Sequence, residues 1–451
     1  MFPSTLLTAI QGVRHGEWTA AELFQAFRQR IEAENPRLNA FLSLAEPPLE
    51  FPSPETPLAG VPLAIKDLID VAGLPTTAGS PRFFGAQPAV KDAEVIRRLK
   101  QAGATILGKT HTHEIALGIT GINPHYGAAR NPHDPQRITG GSSSGSAAAV
   151  AAGLALAALG TDTGGSVRIP ASLCGVVGFK PTFGRISTRG VLPLSWNLDH
   201  VGVLTRTVAD AALLYQILAG YDPQDPASQD VLVEEVLSGL EGGVEGWRIA
   251  LAVGEYIEAA DSLVLEGVRE AAARFQSLGA TVVEKEITPL HEAAQANGLM
   301  VIADAAAFHR QRLAEHPDWF GEDVRQRLER GRALSSTDYV LARRTQSEAR
   351  RYFELFFQQF DLLLLPTTAT PAAPIEGLDS AAYAPKMTRF TAPFNLTGLP
   401  AISLPCGRDE QGLPVGLQIV AGPWQEAKLL RAAHAWEQVS RLSLDHGQPA
   451  P

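Results

Sequence analysis

The chain has 451 residues, 45% hydrophobic and 19% charged, with a formal net charge of −10 at pH 7. This length and balance fit one large or two fused globular domains and exclude a disordered polyelectrolyte. No sustained Lys/Arg stripe occurs, so nucleic acid and anionic membrane are not expected partners, and two distant cysteines, Cys174 and Cys406, offer neither a disulfide framework nor a metal knuckle.

The opening stretch, MFPSTLLTAIQGVRHGEW, lacks a basic start and has a short, interrupted apolar run. A secretory leader is therefore not expected, and no segment offers the ~20 apolar residues of a membrane span. A cytoplasmic location is the expectation. Thr19 and Glu22 predict a capping box opening an amphipathic helix through TAAELFQAFRQRIEAEN. Strands are predicted at NAFLSL, GVPLAIKD and ATILGKT, with a helix over Ala93–Ala102 before the last of them. Residues 127–190 are dense in Gly, Ser, Thr and Pro, as if a tightly packed backbone surrounded a site; within them an Ala-rich run after GGSSSGS reads as a helix. WRIALAVG and GATVVEKEI read as strands flanking a helix over Ser262–Leu278, and a charged helical block follows from about Ala303 to Phe357. DLLLLP, PAISLPCG and GLPVGLQIVAG return to strand patterns before a last helix over about Glu426–Glu437. The alternation predicts an α/β fold in one contiguous domain.

Gly140–Ser146, GGSSSGS, admits several readings. It is no linker, because it runs straight into the Ala-rich segment. A phosphate loop needs Gly-Lys-Ser/Thr, and no lysine occurs between Lys109 and Lys180. Gly141–Gly145 formally matches G-x-S-x-G, which would make Ser143 the nucleophile of a strand-to-helix elbow, but the proline-studded approach NPHDPQRIT argues against a strand there. Downstream, Thr161–Pro170 reads TDTGGSVRIP. Its paired glycines would let the N–H groups of Thr163, Gly164, Gly165 and Ser166 converge as a donor nest for an oxyanion, with the Ser166 hydroxyl at its end. A turn capped by a hydroxyl is the equally weighted alternative. Serine needs a base, and Lys66 closes the apolar run VPLAIKD, where burial would favour its neutral amine. Taken alone, Lys66 reads better as a lysine passing a strand end or paired with Asp67. His111 and His113, placed on one face of a strand, with His125 and His133 following, raise a metal-dependent amidohydrolase as the rival enzyme class.

The window GGSSSGSAAAVAAGLALAALGTDTGGSVRIPA, the 24-residue separation of Ser142 and Ser166, and the lysine of PLAIKD together resemble the amidase signature enzymes. ILGKT, RNPHDP, CGVVGFKPTFGRIS, NLTGLPAISLP and GLPVGLQIV extend the resemblance over nearly the whole chain. It implies a single domain with a central mixed β-sheet covered by helices on both faces, a signature core over about residues 60–210 and a variable specificity region over about 245–360. It implies Ser166 as the acylated nucleophile, Ser142 as a bridging serine behind a cis peptide bond, and Lys66 as the base. Thr163, Gly164, Gly165 and Ser166 would form the oxyanion hole, and Ser143 and Arg168 would support the site. No cofactor or metal is implied. The substrate would be a small amide, carbamate or urea, and the protein a monomer or homodimer. His111 stands where the family usually has Asn. Thr388 stands where the glutamine-using subunit of the tRNA-dependent amidotransferase has an aspartate, which demotes that role to an alternative. Leu117–Gly121, Phe390 and Phe394 are candidates for either pocket or core.

Overall fold

A computed structural model of the chain describes residues 2–82 and 87–440. Its apolar runs form strands β1 (Phe41–Leu44), β2 (Pro62–Lys66), β3 (Thr105–Thr110), β4 (Ala157–Asp162), β5 (Val177–Lys180), β6 (His200–Thr205), β7 (Arg248–Val253), β8 (Thr281–Glu286), β9 (Leu362–Pro366), β10 (Ala401–Arg408) and β11 (Pro414–Ala421). They make one sheet in the order β1-β3-β2-β4-β6-β5-β10-β11-β9-β7-β8. Pairing is parallel along β3-β2-β4 and along β9-β7-β8, and antiparallel from β4 across to β9. The expected mixed α/β sheet is therefore present. Strands β2, β4, β6, β9 and β11 are buried at every position. Such runs lack the in/out alternation of a half-exposed strand because both faces are covered.

Thr19 and Glu22 form the predicted capping box on the helix Ala20–Leu38. The Ala-rich run departs from expectation: helix α1 (Ser144–Ala151) stops early, Gly153 takes φ +68°, and Ala157–Asp162 becomes β4. A short apolar run without charge fits a buried strand as well as a helix, and the left-handed glycine breaks the helix before the pattern changes. The small residues of β4 have a purpose, since a Cβ on Gly160 would lie 2.8 Å from Ser143 Oγ. Helix α2 (Arg168–Cys174) follows β4 directly.

The helical block begins earlier than Ala303. It consists of α3 (Leu290–Phe308), a short helix Arg310–Glu315, α4 (Glu322–Ala333) and α5 (Ser336–Phe356). The first half of α3, LHEAAQANG, alternates small and polar residues without a clear apolar stripe, so the sequence hides its start. After β9 comes α6 (Ser380–Thr388). Phe390 and Phe394 are buried in an apolar cluster with Phe353 and Phe356 of α5 and belong to the core. Among the described residues, no helix is long and apolar enough to cross a membrane.

Candidate active site

Lys66 ends β2 beside β4, with Ile65 in register with Leu159. Its side chain has no solvent exposure, and Nζ donates to Ser142 Oγ at 2.7 Å and to Thr161 Oγ1 at 2.8 Å. Burial lowers its pKa to about 7, against the opposing pull of the Asp162 and Asp199 carboxylates. The two ordinary readings of this lysine fail. It does not reach solvent, and Asp67 pairs with Lys109 at 3.2 Å instead.

The Gly141–Ser142 peptide bond is cis. Ser142 is fully buried, and its carbonyl accepts the His113 N–H at 3.2 Å. Ser143 N–H donates to Ser166 O at 3.2 Å, which clamps the two glycine-serine segments together. The Ser143 hydroxyl donates to Thr161 O at 3.1 Å and accepts Thr161 N–H at 3.3 Å. Ser143 also caps α1 with no strand before it, so an elbow nucleophile has neither its geometry nor a free hydroxyl. Ser146 ties α1 to β3 and β4 through Thr110 Oγ1 (2.7 Å) and Leu159 O (2.9 Å).

Ser166 is 5% exposed and lines a cleft of about 680 Å³ together with Thr163 and Gly164. Gly165 takes φ +133°, and a Cβ there would lie 2.2 Å from Thr391 Oγ1. Thr391 Oγ1 also donates to Gly164 O at 2.7 Å. Behind this turn, the Asp162 carboxylate accepts from Gly165 N–H (2.8 Å), Val167 N–H (3.1 Å), Asn395 Nδ2 (2.8 Å) and the guanidinium of Arg168 (2.9 and 3.0 Å). Burial alone would raise the Asp162 pKa, but the charge and hydrogen bonds of Arg168 overcome it and hold the carboxyl well below its usual range. Arg168 is wholly buried and also donates to Gln418 Oε1 and Asn395 Oδ1, each at 2.6 Å.

The expected oxyanion nest needs one correction. Gly165 turns its N–H onto Asp162, so of the four N–H groups expected to form the nest this one is engaged elsewhere. Thr163 is held from the other side, its hydroxyl donating at 2.6 Å to Asp199. Burial raises Asp199 to a pKa of about 6 despite this bond and the N–H groups of Leu194 and Ser195. Sequence reasoning assigns no role to Thr161, Asp162, Asp199 or Asn395. The first two sit inside the glycine-serine motif and are recognisable as polar residues on an otherwise apolar strand; the others come from distant segments.

The histidines are not arranged as the metal reading requires. β3 ends at Thr110, so His111 and His113 leave the strand into a loop instead of sharing its face. His111 contacts Ser144 Oγ through Nδ1 and Gly127 O through Nε2, both at 2.9 Å. Burial lowers its pKa to about 4, so the ring is neutral. Nε2 then carries the proton given to Gly127 O, and Nδ1 accepts from Ser144. Thus both ring nitrogens of His111 have a polar partner. His113 faces Asp323 at 3.3 Å, His125 faces Glu114 at 2.8 Å, and His133 faces Cys174 O at 3.0 Å. Among the described residues, no His/Cys/Asp/Glu group is spaced to hold a metal ion.

The cleft above Ser166 is walled by Leu117–Ile119, by α3 and α4, and by α6. Leu117–Ile119, which the sequence leaves open between pocket and core, therefore lines the pocket.

The family model for Amidase matches residues 22–430. The chain is 40% identical to an amidase from Pseudomonas putida, over 98% of this chain and 97% of that one. It is 36% identical to a Glutamyl-tRNA(Gln) amidotransferase subunit from Koribacter versatilis (strain Ellin345), over 94% and 96%. The solved structure of a bacterial aryl acylamidase of the amidase signature family matches with a TM-score of 0.88 at 26% identity, covering 99% of both chains.

Proposed function

The chain belongs to the amidase family and is a hydrolase of amide C–N bonds, and we propose that it works through an acyl-enzyme on Ser166, with Ser142 as proton relay and Lys66 as base. The observation that carries this reading is the 2.7 Å contact from a wholly buried Lys66 to Ser142. A lysine with its pKa near 7 can hold a neutral amine at working pH, and that amine accepts a proton through the serine beside it.

In this scheme Ser166 Oγ attacks the amide carbonyl carbon while its proton passes to Ser142 Oγ, and the Ser142 proton passes to Lys66 Nζ. The carbonyl oxygen becomes an oxyanion facing the N–H groups of Thr163, Gly164 and Ser166. Asp162 fixes the turn that presents them by holding Gly165 and Val167 from below. Collapse breaks the C–N bond, and the leaving nitrogen recovers a proton along the same relay. Water, deprotonated by the relay, then attacks the Ser166 ester and releases the acid. Amide and water become acid and amine, and no step calls for a metal or organic cofactor.

The substrate class we favour is a free-standing amidase's range of alkyl or aryl amides, carbamates and ureas. The similarity to the Pseudomonas amidase and the Thr388 position support it. The similarity to the amidotransferase chain favours glutamine as the second reading. We assign the chemistry to about residues 60–210, where Lys66, Ser142 and Ser166 lie, and specificity to about 245–360, where α3 and α4 wall the cleft. The test is a panel of primary amides, anilides, carbamates and glutamine, read by the mass of an acyl group on Ser166. An acyl adduct on another residue would overturn the assignment.

A further inference from the structure

The helix α3 walls the cleft and also holds the turn that leads to Ser166. Asn297 of α3 is 2% exposed, and its Nδ2 donates to Thr163 O at 3.2 Å. The carboxamide lies against the next residue as well, since a Cβ on Gly164 would come 3.2 Å from Asn297 Oδ1. The opposite orientation of the amide would set Oδ1 against Thr163 O, two acceptors with no proton between them. Thr163 O and the Gly164 N–H are the two ends of one planar peptide group. Among the described residues that N–H has no hydrogen-bond partner, and Gly164 lines the cleft together with Asn297.

The same helix reaches Thr163 by a second route. About two turns further along α3, Asp304 accepts from Ser195 Oγ at 2.6 Å, from Tyr339 Oη of α5 at 2.9 Å and from Asn197 Nδ2 at 3.2 Å. Ser195 gives its N–H to Asp199 at 3.0 Å, and Asp199 accepts the Thr163 hydroxyl at 2.6 Å. Thr163 is thus tied to one helix through both its carbonyl and its side chain, and that helix also presents His291, Gln295 and Val301 to the cleft.

We infer that Asn297 is a positioning residue for acyl transfer: by donating to Thr163 O it orients and polarises the Thr163–Gly164 peptide, which strengthens the Gly164 N–H as a donor to the oxyanion. This rests on the reading of that N–H as part of the oxyanion nest and of Ser166 as the attacking residue. A hydrogen bond accepted at one end of a peptide group makes its other end a better donor. The gain is largest when the substrate oxygen carries its full charge, so it belongs to the transition state and enters kcat more than KM. Because α3 also walls the cleft, the fit of a substrate against this helix and the order of the nest are tied together.

The test takes the amide hydrolysed fastest in the substrate panel and follows kcat and KM separately. Asn297→Ala is expected to lower kcat about tenfold or more, with KM changed by less than about threefold. Asn297→Asp keeps the shape of the side chain and adds a pH signature. Its protonated acid can donate to Thr163 O and its carboxylate cannot, so kcat relative to wild type is expected to fall about tenfold or more as the new acid ionises. Thermal unfolding reports whether each variant folds, and should Asn297→Ala fail to, the isosteric Asn297→Asp carries the measurement alone. An unchanged kcat in Asn297→Ala, an effect confined to KM, or a ratio of Asn297→Asp to wild type that is constant with pH overturns the inference and leaves the Ser166 reading standing. An acyl group found on a residue other than Ser166 overturns the reading beneath it, and the inference with it.

Discussion

Lys66 Nζ meets Ser142 Oγ at 2.7 Å in a place that water does not reach. The contact joins the end of β2 to the turn before α1, and in the proposed relay the protonation of this one lysine decides whether a proton can be accepted. Because only the neutral amine serves, kcat/KM is expected to rise about tenfold per pH unit below about 7 and to level off above it. Ser166→Ala is expected to abolish turnover and acylation, and Lys66→Ala or Ser142→Ala to lower kcat by about 10²–10⁴-fold. A pH–rate profile flat between pH 5.5 and 8 would contradict the role given to Lys66.

Gly165 is expected to tolerate no side chain. Gly165→Ala meets both an unfavourable φ of +133° and a Cβ position 2.2 Å from Thr391 Oγ1. The expected loss is about 1–3 kcal/mol in stability, with kcat reduced more than KM if the N–H groups proposed as oxyanion donors move. Adding Thr391→Ala relieves the clash but not the backbone strain, so recovery in denaturant unfolding should be partial.

Arg168→Met should be costly. It leaves Asp162 charged, buried and stripped of its main partner, a loss of about 3–5 kcal/mol by urea unfolding. Asp162→Asn in the same chain should restore part of it. If Arg168→Met unfolded at the wild-type urea midpoint, the buried ion pair would have no structural importance.

Asp199 makes the folded state sensitive to pH on the acid side. Its folded pKa is about 6, above the ordinary 3.8, so between these values the folded protein keeps a proton the unfolded chain has released. Stability from this group is therefore present at low pH and lost as pH rises from about 4 to about 6, by about 3 kcal/mol at most. Lys66 acts in a separate window and in the other direction, its depressed pKa making stability rise from about pH 7 upward. Denaturant unfolding of Asp199→Asn between pH 4 and 7 should lack the acid-side fall. An unchanged slope would mean that Asp199 ionises normally.

A chelator should leave the rate unchanged, and added zinc should bring no gain. His111, His113, His125 and His133 already have partners in Ser144, Gly127 O, Asp323, Glu114 and Cys174 O. His111→Ala is expected to cost about 1–3 kcal/mol in stability, as the buried Gly127 and Ser144 contacts are lost. Loss of activity with a chelator and its return with zinc would reverse this reading.

What can be read from the sequence is set by how local each signal is. Ser166 stands out locally because paired glycines before a serine imply a donor nest, whereas Ser142, Arg168 and the role of Lys66 become legible only through the resemblance of the long glycine-serine window to a family. Asp199, Asn395 and Gln418 are not legible, because their meaning arises only when the sheet brings them to Thr163 and Arg168. Phe390 and Phe394 cannot be sorted between pocket and core, since an aromatic side chain serves either place and the contact with Phe353 that decides it comes from another helix. The Ala-rich run misleads for a different reason. Alanine and leucine suit a helix, but between β2 and β6 a strand of small residues leaves room for Ser143 to approach.

The bonds around Arg168 also bear on the order in which this molecule can come to life. Its partners Asn395 and Gln418 lie 227 and 250 residues further along the chain. Asn395 also supports Asp162, which anchors the turn carrying Ser166. A nascent chain that has emerged only through α5 holds both key serines and the lysine, yet it lacks the donors and acceptors that satisfy the buried pair beneath them. Contacts of such span close late, because a long loop must be ordered before they form. The turn carrying Ser166, the proposed nucleophile, is therefore secured only with the last strand in the chain, and a shorter chain holds these side chains without their support.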